Sequence, residues 1–188
     1  MTCFILPQTI LNTPISQSIH TPISLNVYLQ KQQVECNHEC VNHAQLLSEF
    51  RTKYKLTDSI FIMTNELPTT LYPVIINHTD WISLHELSML TSGGIYISKL
   101  MDSTTEDSLQ FLFKLASSFR HVCICKPDSI CSLSSIKYVI ATDFLHRPKE
   151  GIYEIPYYFK MVVDEMNSTY GQIQLEHLRS HNISLGKI

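Results

Sequence analysis

Glycine is scarce in this chain, and its distribution limits the cofactors that the fold can hold. The five glycines are Gly93, Gly94, Gly151, Gly171 and Gly186, so the first 92 residues contain none. A dinucleotide or adenosyl cofactor on a Rossmann-type sheet needs glycine at the first strand-to-helix turn, because the backbone there must approach the ligand closely. The P-loop pattern G-x-x-x-x-G-K-[ST] is also absent. We therefore expect no bound cofactor.

Composition and charge narrow the class of protein further. The chain has 188 residues, of which 44% are hydrophobic and 16% are charged, and this balance is typical of one globular domain rather than of a disordered chain. The net charge of −3 lacks the Lys/Arg excess of proteins that bind nucleic acid through phosphate contacts. No apolar run approaches the ~18 residues of a membrane span. The N-terminus has no basic segment typical of a signal peptide. We expect a soluble cytoplasmic protein that contacts neither membrane nor DNA.

Cysteine and histidine suggest a metal site in one segment. Four potential ligands lie close together there: Cys36, His38, Cys40 and His43. A structural zinc site normally adds a second ligand pair a dozen or more residues away, and no such pair follows. Cys123 and Cys125 alternate within an apolar run, which predicts small core residues on one face of a strand. We favour reduced, mostly buried thiols and no metal site, with zinc in the first segment as the alternative.

Hydrophobic periodicity in the first half of the chain predicts alternating strands and helices. The expected elements are strands over 23–29 and 59–63 and helices over 41–54 and 80–90. Asp80 is a good N-cap for the last helix, and Gly93–Gly94 is a plausible stop for it. Pro68 and Pro73 are interpreted as breaks after the second strand.

The second half continues the alternation. The expected elements are a strand over 95–100, a helix beginning near Thr104, strands over 122–125 and 136–141, and a tail helix from about Pro156 to about His181. Thr104 and Asp107 have the spacing of a capping box. The last two strands are joined by a loop rather than a helix, which predicts an antiparallel pair at a sheet edge. The pattern as a whole is a three-layer α/β fold.

Three segments carry a resemblance to a known family. They read G-G-I-Y-I-S-K over 93–99, V-C-I-C-K-P over 122–127 and S-S-I-K-Y-V-I over 134–140. In order and spacing, this part of the chain (84–144) resembles the C-terminal half of FtsJ-like 2′-O-ribose methyltransferases. The matching segments of that family read roughly GG-x-[FY]-[IV]-x-K, [IV]-x-K-P and [NS]-S-E-x-Y-[IVL]-[IV].

The resemblance implies a truncated Rossmann-like methyltransferase-type sheet with an antiparallel edge strand and a C-terminal helix. It divides a single domain into a divergent N-terminal part (1–56), the recognisable half of the fold (57–145) and a tail helix region (146–188).

The resemblance also identifies where catalytic groups would lie. The family uses a Lys-Asp-Lys-Glu tetrad, in which a lysine helps to deprotonate the ribose hydroxyl. Lys99 matches that lysine, but Ile136 occupies the glutamate position. Thr64 and Asn65 follow the strand that should end in the aspartate, and the first lysine has no match. We therefore predict no catalytic residue, with Lys99 as a vestigial position.

A methyltransferase-like domain without a tetrad is also found in the small regulatory subunits of poxvirus mRNA-capping enzymes, which the chain resembles most. This resemblance implies a non-catalytic subunit that binds and allosterically stimulates a cap guanine-N7 methyltransferase. The two chains would form a heterodimer. Its source would be a virus or virus-like element that is active in the cytoplasm of its host. RNA would be contacted only indirectly. The tail helix and exposed apolar residues near the sheet edge are the expected docking surfaces.

Two other functions remain open at this point. One is an active S-adenosylmethionine-dependent ribose methyltransferase with Lys99 catalytic and its missing half supplied by another chain. The other is an inactive RNA-binding or scaffold module. The aromatic residues Tyr153, Tyr157, Tyr158 and Phe159 are able to stack on nucleobases. Without basic neighbours, core or interface roles are favoured for them.

Overall fold

The chain forms an α/β fold with one mixed sheet and a long C-terminal helix. The computed structural model describes residues 2–8, 43–54, 60–62, 71–77, 84–128, 130–131 and 133–184. The strands are β1 (Thr2–Leu6), β2 (Ile60–Ile62), β3 (Tyr72–Asn77), β4 (Leu90–Leu100), β5 (Phe119–Lys126) and β6 (Lys137–Phe144). The helices are α1 (His43–Tyr54), α2 (Glu106–Ser118) and α3 (Tyr157–Ser184), with a short 3₁₀ helix at His85–Met89.

The six strands lie in the order β1-β5-β6-β4-β3-β2. β2, β3 and β4 are parallel neighbours, and β6 lies antiparallel between β4 and β5. β4 and β5 therefore run in the same direction. The carboxyl ends of β2 to β5 meet at one edge of the sheet, which we call the carboxyl edge; it comprises Ile62, Asn77, Leu100, Lys126 and, at the start of β6, Lys137.

Strand alternation divides the sheet into two faces that are covered by different helices. The larger apolar cluster joins alternate residues of the sheet, such as Val139 and Ala141 of β6, to α2 and α3. The smaller cluster joins the intervening residues, such as Tyr138 and Ile140, to Phe50 of α1. We call these the α2/α3 face and the α1 face. Helices on both faces of a sheet agree with the expected layered architecture.

The α2/α3 face holds most of the buried aromatic residues. Phe113 of α2 and Phe159 of α3 meet edge to face, with ring centroids 5.3 Å apart. Phe119, at the start of β5, stacks on Tyr96 of β4 at 6.4 Å and lies 5.1 Å from Phe144. These contacts attach both helices to the centre of the sheet.

Helix α2 begins differently from the expected capping box. Thr105 is the N-cap, and its hydroxyl accepts a hydrogen bond from the Ser108 backbone N–H at 3.3 Å. Thr104 lies one residue before the cap and donates through its backbone N–H and its hydroxyl to the Asp102 carboxylate, both at 2.8 Å. The expected box of Thr104 with Asp107 was therefore wrong by one residue. Asp102 shapes the turn that leads into the helix.

Strand β3 was not predicted, because Pro73 was interpreted as a break. Pro73 is the second residue of β3, and the register between β3 and β4 shifts between Tyr72 and Val74. Proline has no N–H to donate to a strand ladder, so it is tolerated at an irregularity of this kind. The four residues that follow Pro73 are buried and continue the strand normally.

The expected helix over 80–90 was wrong in its described part, which is the short 3₁₀ helix followed directly by β4. Gly93 and Gly94 lie inside β4 and do not end a helix. Gly93 has a φ of +74°, which favours glycine. A Cβ at Gly94 would lie 2.7 Å from the Thr91 carbonyl oxygen and 2.8 Å from the Leu90 side chain. Both glycines are thus needed for an irregular start of β4.

The remaining elements largely follow the sequence pattern. The helix over 41–54 is confirmed as α1, and the strand over 59–63 is confirmed as β2. The tail helix is confirmed as α3 and continues past Gly171. The strand expected over 23–29 lies outside the described residues. β5 and β6 are antiparallel as predicted, but the expectation that they form an edge was wrong because β1 extends the sheet beyond β5.

Candidate functional site

The carboxyl edge places Lys99 and Ile136 beside each other on the α1 face. Lys99 pairs with Tyr138 across β4 and β6, and Ile136 lies two residues before Tyr138 and so on the same face. Ile136 packs against the apolar cluster that contains Phe50. Lys99 therefore has Tyr138 directly across from it and Ile136 diagonally across, and the hydrocarbon side chain of Ile136 cannot itself accept a proton.

On the side away from β6, β4 pairs with β3, which ends at Asn77. The Asn77 amide donates to the Glu86 carboxylate and to the Tyr96 hydroxyl, each at 3.4 Å. Glu86 is only 3% exposed, and its second oxygen has no hydrogen-bond partner within the described chain. Burial, and then the nearby Glu86, raises the pKa of Tyr96. Thr64 and Asn65, the residues expected at the aspartate position, lie outside the described residues.

The opposite face of the carboxyl edge carries a pair of lysines that sequence reasoning did not single out. Lys137 pairs with Leu100 of β4. Lys126 follows Cys125, which pairs with Tyr138, so Lys126 lies across from Lys137 on the neighbouring strand. Alternation places both lysines on the α2/α3 face. The sequence did contain a signal for this pair. Lys126 and Lys137 both belong to the motif segments, and the two-residue alternation of side chains along a strand assigns each lysine to a face of the sheet.

Both lysines are anchored by the loop between β5 and β6. The Lys126 ammonium donates to the Ser134 carbonyl oxygen. The Lys137 ammonium donates to the Ser135 carbonyl oxygen at 3.3 Å, and its Nζ lies 5.6 Å from the ring centroid of Tyr170 in α3. The loop and α3 thus cover the pair from two sides.

Both lysines of this pair have pKa values well below the ordinary value of lysine. Burial lowers the pKa of Lys137 to about 8, and the nearby Asp102 carboxylate opposes the shift. Burial also lowers the pKa of Lys126 to about 8, the charge of Lys137 lowers it further, and the Cys131 thiol opposes the shift. The two lysines therefore share a partly desolvated position, and the Asp102 carboxylate lies near Lys137.

A polar stripe on α3 follows the same edge of the sheet. Asn167 and Ser103 exchange two hydrogen bonds: the Ser103 hydroxyl donates to the Asn167 side-chain oxygen, and the Asn167 amide donates to the Ser103 carbonyl at 3.1 Å. One turn later, the Tyr170 hydroxyl donates to the Ile124 carbonyl at 3.3 Å. The Gln174 amide, one further turn along, donates to a loop carbonyl. Helix α3 is therefore fixed to the carboxyl edge by specific polar contacts.

The first turns of α3 expose apolar side chains. Tyr157 is 77% exposed, Tyr158 is 51% exposed and Met161 is 53% exposed. An open cleft beside them is lined by Glu154, Ile155, Pro156, Tyr157 and Lys160. We call Tyr157, Tyr158 and Met161 the α3 patch. By contrast, Tyr153 and Phe159 are buried, in agreement with the expected core role.

Only some of the cysteines and histidines discussed above as thiols or metal ligands lie within the described residues. Cys36, His38 and Cys40 lie outside the described residues, and His43 begins α1. Over the part of the chain that the structure describes, no three His, Cys, Asp or Glu side chains are grouped to hold a metal ion. Cys125 is buried and Cys123 packs against the same cluster, so the prediction that they are small core residues on one face is confirmed.

No family model matches the chain, and no curated protein has a significantly similar sequence. None of the helices in the described ranges combines the length and hydrophobicity required to span a membrane.

Proposed function

We propose that this chain is a non-catalytic regulatory subunit that binds and allosterically stimulates an mRNA cap guanine-N7 methyltransferase of a cytoplasmic virus or virus-like element. The proposal assigns the chain a truncated Rossmann-like methyltransferase-type fold, with 57–145 as the recognisable half and 146–188 as the tail helix region. It combines the resemblance of three motif segments with the arrangement of residues at the carboxyl edge.

The observation that carries the proposal is the surroundings of Ile136. The family's lysine and glutamate would be neighbours on one face of the sheet, and Lys99 and Ile136 have that relationship here. Ile136 is a hydrocarbon packed against an apolar cluster, so its own side chain supplies no carboxylate to accept a proton or to orient Lys99. This replacement supports a fold of the family's kind that does not use the family's reaction.

The order of the elements supports the assignment to this kind of sheet. β4, α2, β5 and β6 follow one another as the motif segments predict, and β6 inserts between the two parallel strands. The Gly-Gly step falls in β4 and the K-P step at the end of β5. This order of elements supports the proposed assignment, because it is compatible with a Rossmann-like sheet.

The α3 patch is the proposed contact with the catalytic subunit. Exposed aromatic and methionine side chains are enriched in the cores of protein interfaces. The patch continues directly from a helix whose buried side is firmly docked on the sheet, so it presents a rigid surface. The methyltransferase partner would cover Tyr157, Tyr158 and Met161 in a heterodimer.

Stimulation would follow from differential binding. A regulatory subunit shifts the catalytic subunit toward its active conformation only to the extent that it binds that conformation more tightly. Coupling free energies between sites are typically about 1–3 kcal/mol, which corresponds to an increase in donor or cap affinity of about 5–150-fold.

Reconstitution tests this function directly. The chain is co-expressed with the guanine-N7 methyltransferase encoded in the same genome, and methyl transfer from S-adenosylmethionine to GpppRNA is measured with and without the chain. We expect a stable heterodimer and stimulation of at least about fivefold. A double variant, Tyr157→Ser with Met161→Ser, should abolish both, whereas Thr169→Ser on an exposed part of α3 should abolish neither.

The same assay separates the alternatives. Ribose 2′-O-methylation by the chain, lost in Lys99→Ala, would replace the proposal with an active methyltransferase. Salt-dependent RNA binding by the chain alone, without stimulation of the methyltransferase, would instead indicate an RNA-binding scaffold. Absence of both heterodimer and stimulation would refute the regulatory function.

A further inference from the structure

Two cysteines occupy directly opposed positions on β1 and β5. These strands are antiparallel neighbours, and their register places Cys3 across from Cys125. Opposed residues of an antiparallel pair lie on the same face of a sheet. Cys125 carries a thiol and is fully buried in the apolar cluster of the α1 face. Strand pairing thus brings together two cysteines from distant parts of the sequence.

The spacing of opposed residues suits a disulfide. The Cα atoms of such residues are about 4.5–5.5 Å apart, and those of a disulfide are usually about 4.4–6.8 Å apart. Cys123 is a poorer partner for either cysteine. It lies opposite Ile5, so it is diagonal to Cys3, at about 7–8 Å. From Cys125 it is two residues away in one strand, at about 6.4–6.8 Å, the upper end of the range. The register therefore favours Cys3 with Cys125.

The α1 face of β1 is open to solvent beside this pair. Ile5 lies two residues from Cys3 on the same face of the strand and is 77% exposed. Cys123, opposite Ile5, is half-buried. A small soluble disulfide can therefore approach this face of β1. Cys125 is itself fully buried, which suits it to a second, intramolecular step.

We propose that Cys3 and Cys125 are a thiol pair that forms a reversible cross-strand disulfide, with a glutathione-class disulfide as the oxidant. The Cys3 thiolate attacks the oxidant, releases one glutathione thiol and leaves a mixed disulfide. The Cys125 thiolate then attacks the Cys3 sulfur, forms the cross-strand bond and releases the second glutathione thiol. The two cysteine sulfurs are oxidised, the oxidant is reduced, and both protons end on the glutathione thiols. The pair does not depend on the proposed regulatory function.

The disulfide would attach β1 to the sheet covalently. It joins residues about 120 positions apart in the sequence, and cross-links that close long loops restrict the unfolded chain most. β1 also contacts α3, since Phe4 meets Tyr170 edge to face with ring centroids 5.3 Å apart. Oxidation should therefore stabilise both β1 and the helix that packs on it.

Oxidation of the reduced full chain tests the pair. The folded wild type is incubated with excess oxidised glutathione, and the remaining thiols are alkylated. Mass spectrometry of a non-reduced digest then identifies any peptide that links Cys3 to Cys125, and thermal unfolding is recorded before and after oxidation. The variants are Cys3→Ser and Cys125→Ala. Cys131→Ser is the matched control, because it removes a half-buried thiol from outside the strand pair.

The expected result is an intramolecular bond between Cys3 and Cys125 that dithiothreitol removes. Its formation should raise the thermal unfolding midpoint by about 5 °C or more. Cys3→Ser and Cys125→Ala should each abolish the linked peptide and the rise, whereas Cys131→Ser should keep both. If Cys125→Ala does not fold, Cys3→Ser decides the result, because it changes a residue of the strand beyond β5.

Three results would overturn the proposal. One is no bond between Cys3 and Cys125 in the folded wild type, whether the thiols stay reduced or carry glutathione. Another is a bond between other cysteines in place of this pair, such as Cys123 with Cys125. The third is linkage only after unfolding in urea, which would mean that the folded register does not hold the two cysteines together.

Discussion

The two faces of the carboxyl edge use neighbouring residues for different purposes. On the α1 face, the diagonal neighbour of Lys99 is the hydrocarbon side chain of Ile136. On the α2/α3 face, Lys126 and Lys137 lie across from each other on neighbouring strands, and Tyr170 of α3 lies over the Lys137 ammonium. Ile136 and Lys137 are adjacent in sequence, yet alternation places them on opposite faces.

This difference shows that the two faces of one sheet edge present different chemistry. The α1 face places the hydrocarbon side chain of Ile136 diagonally across from Lys99, whereas the α2/α3 face holds two partly desolvated lysines. Residues on the two faces can therefore be substituted independently. Most of the variants below are compared with a control substitution on the opposite face or at an exposed position.

The largest effect is expected from detaching α3 from its face of the sheet. Phe159 is fully buried and contacts Phe113 edge to face. Phe159→Ala should lower the free energy of unfolding by about 3–5 kcal/mol, measured by urea denaturation, because it leaves a cavity in the core. Tyr158→Ala, at the adjacent exposed position, should change it by at most about 0.5 kcal/mol. Equal effects of the two variants would contradict the described docking of α3.

The next effect distinguishes the lysines of the two faces. Lys137 has a folded-state pKa of about 8, against an ordinary value of 10.5, so its buried charge destabilises the folded chain below pH 8. In phosphate-free buffer at pH 7, Lys137→Met should raise the free energy of unfolding by about 2 kcal/mol. The gain should shrink as the pH rises from 8 to 10.5. Over this range the Lys137 amine of the folded wild type is already neutral, whereas that of the unfolded chain still carries its proton.

The control for this experiment is Lys99→Met, measured over the same pH range. At pH 7 its effect should stay within about 0.5 kcal/mol. A loss of stability in Lys137→Met at pH 7, or a gain independent of pH, would mean that the Lys137 charge is well solvated or fully compensated.

A smaller effect is expected from the polar stripe of α3. Asn167→Ala removes both hydrogen bonds to Ser103 and leaves the serine hydroxyl without this partner. The free energy of unfolding should fall by about 1–2 kcal/mol. Thr169→Ala removes an exposed bond within the helix and should cost clearly less. If the two variants cost the same, the contact at Ser103 contributes nothing specific.

The smallest effect concerns activity on the α1 face. Ile136→Glu introduces a carboxylate on the same face as Lys99, but it adds none of the other groups of the family's tetrad. We expect methyl transfer from labelled S-adenosylmethionine to capped RNA to stay at background, and stability to change by only about 1 kcal/mol. Turnover above background in this variant would mean that a donor site survives.

Much of the fold was predictable because its strongest signals are local and periodic. Helical spacing of apolar residues indicates α1 and α2, and short apolar runs indicate β5 and β6, from the local sequence alone. Strand β3 was missed because Pro73 usually ends a strand, and only its pairing with β4 reveals that the ladder tolerates it. The prediction of a helix stop at Gly93 was wrong because a glycine with positive φ occurs both at helix ends and at irregular positions within strands.

The site was less predictable because it depends on contacts between distant segments. Alternation alone places Lys99 and Ile136 on one face once β4 and β6 are known to pair. The partners of Lys137 come from α3 and from the turn before α2, and no local pattern indicates them. The position of β1 beside β5 also follows from long-range pairing, so the sheet edge was assigned incorrectly.

Binding of the methyl donor tests the central claim most directly. The wild-type chain, without any partner, is titrated calorimetrically with S-adenosylmethionine. If the chain is the proposed non-catalytic subunit without a donor site, it should give no saturable binding, even at about 1 mM donor. Saturable binding with a Kd of about 1 μM would contradict the proposal and favour the alternative of an active methyltransferase.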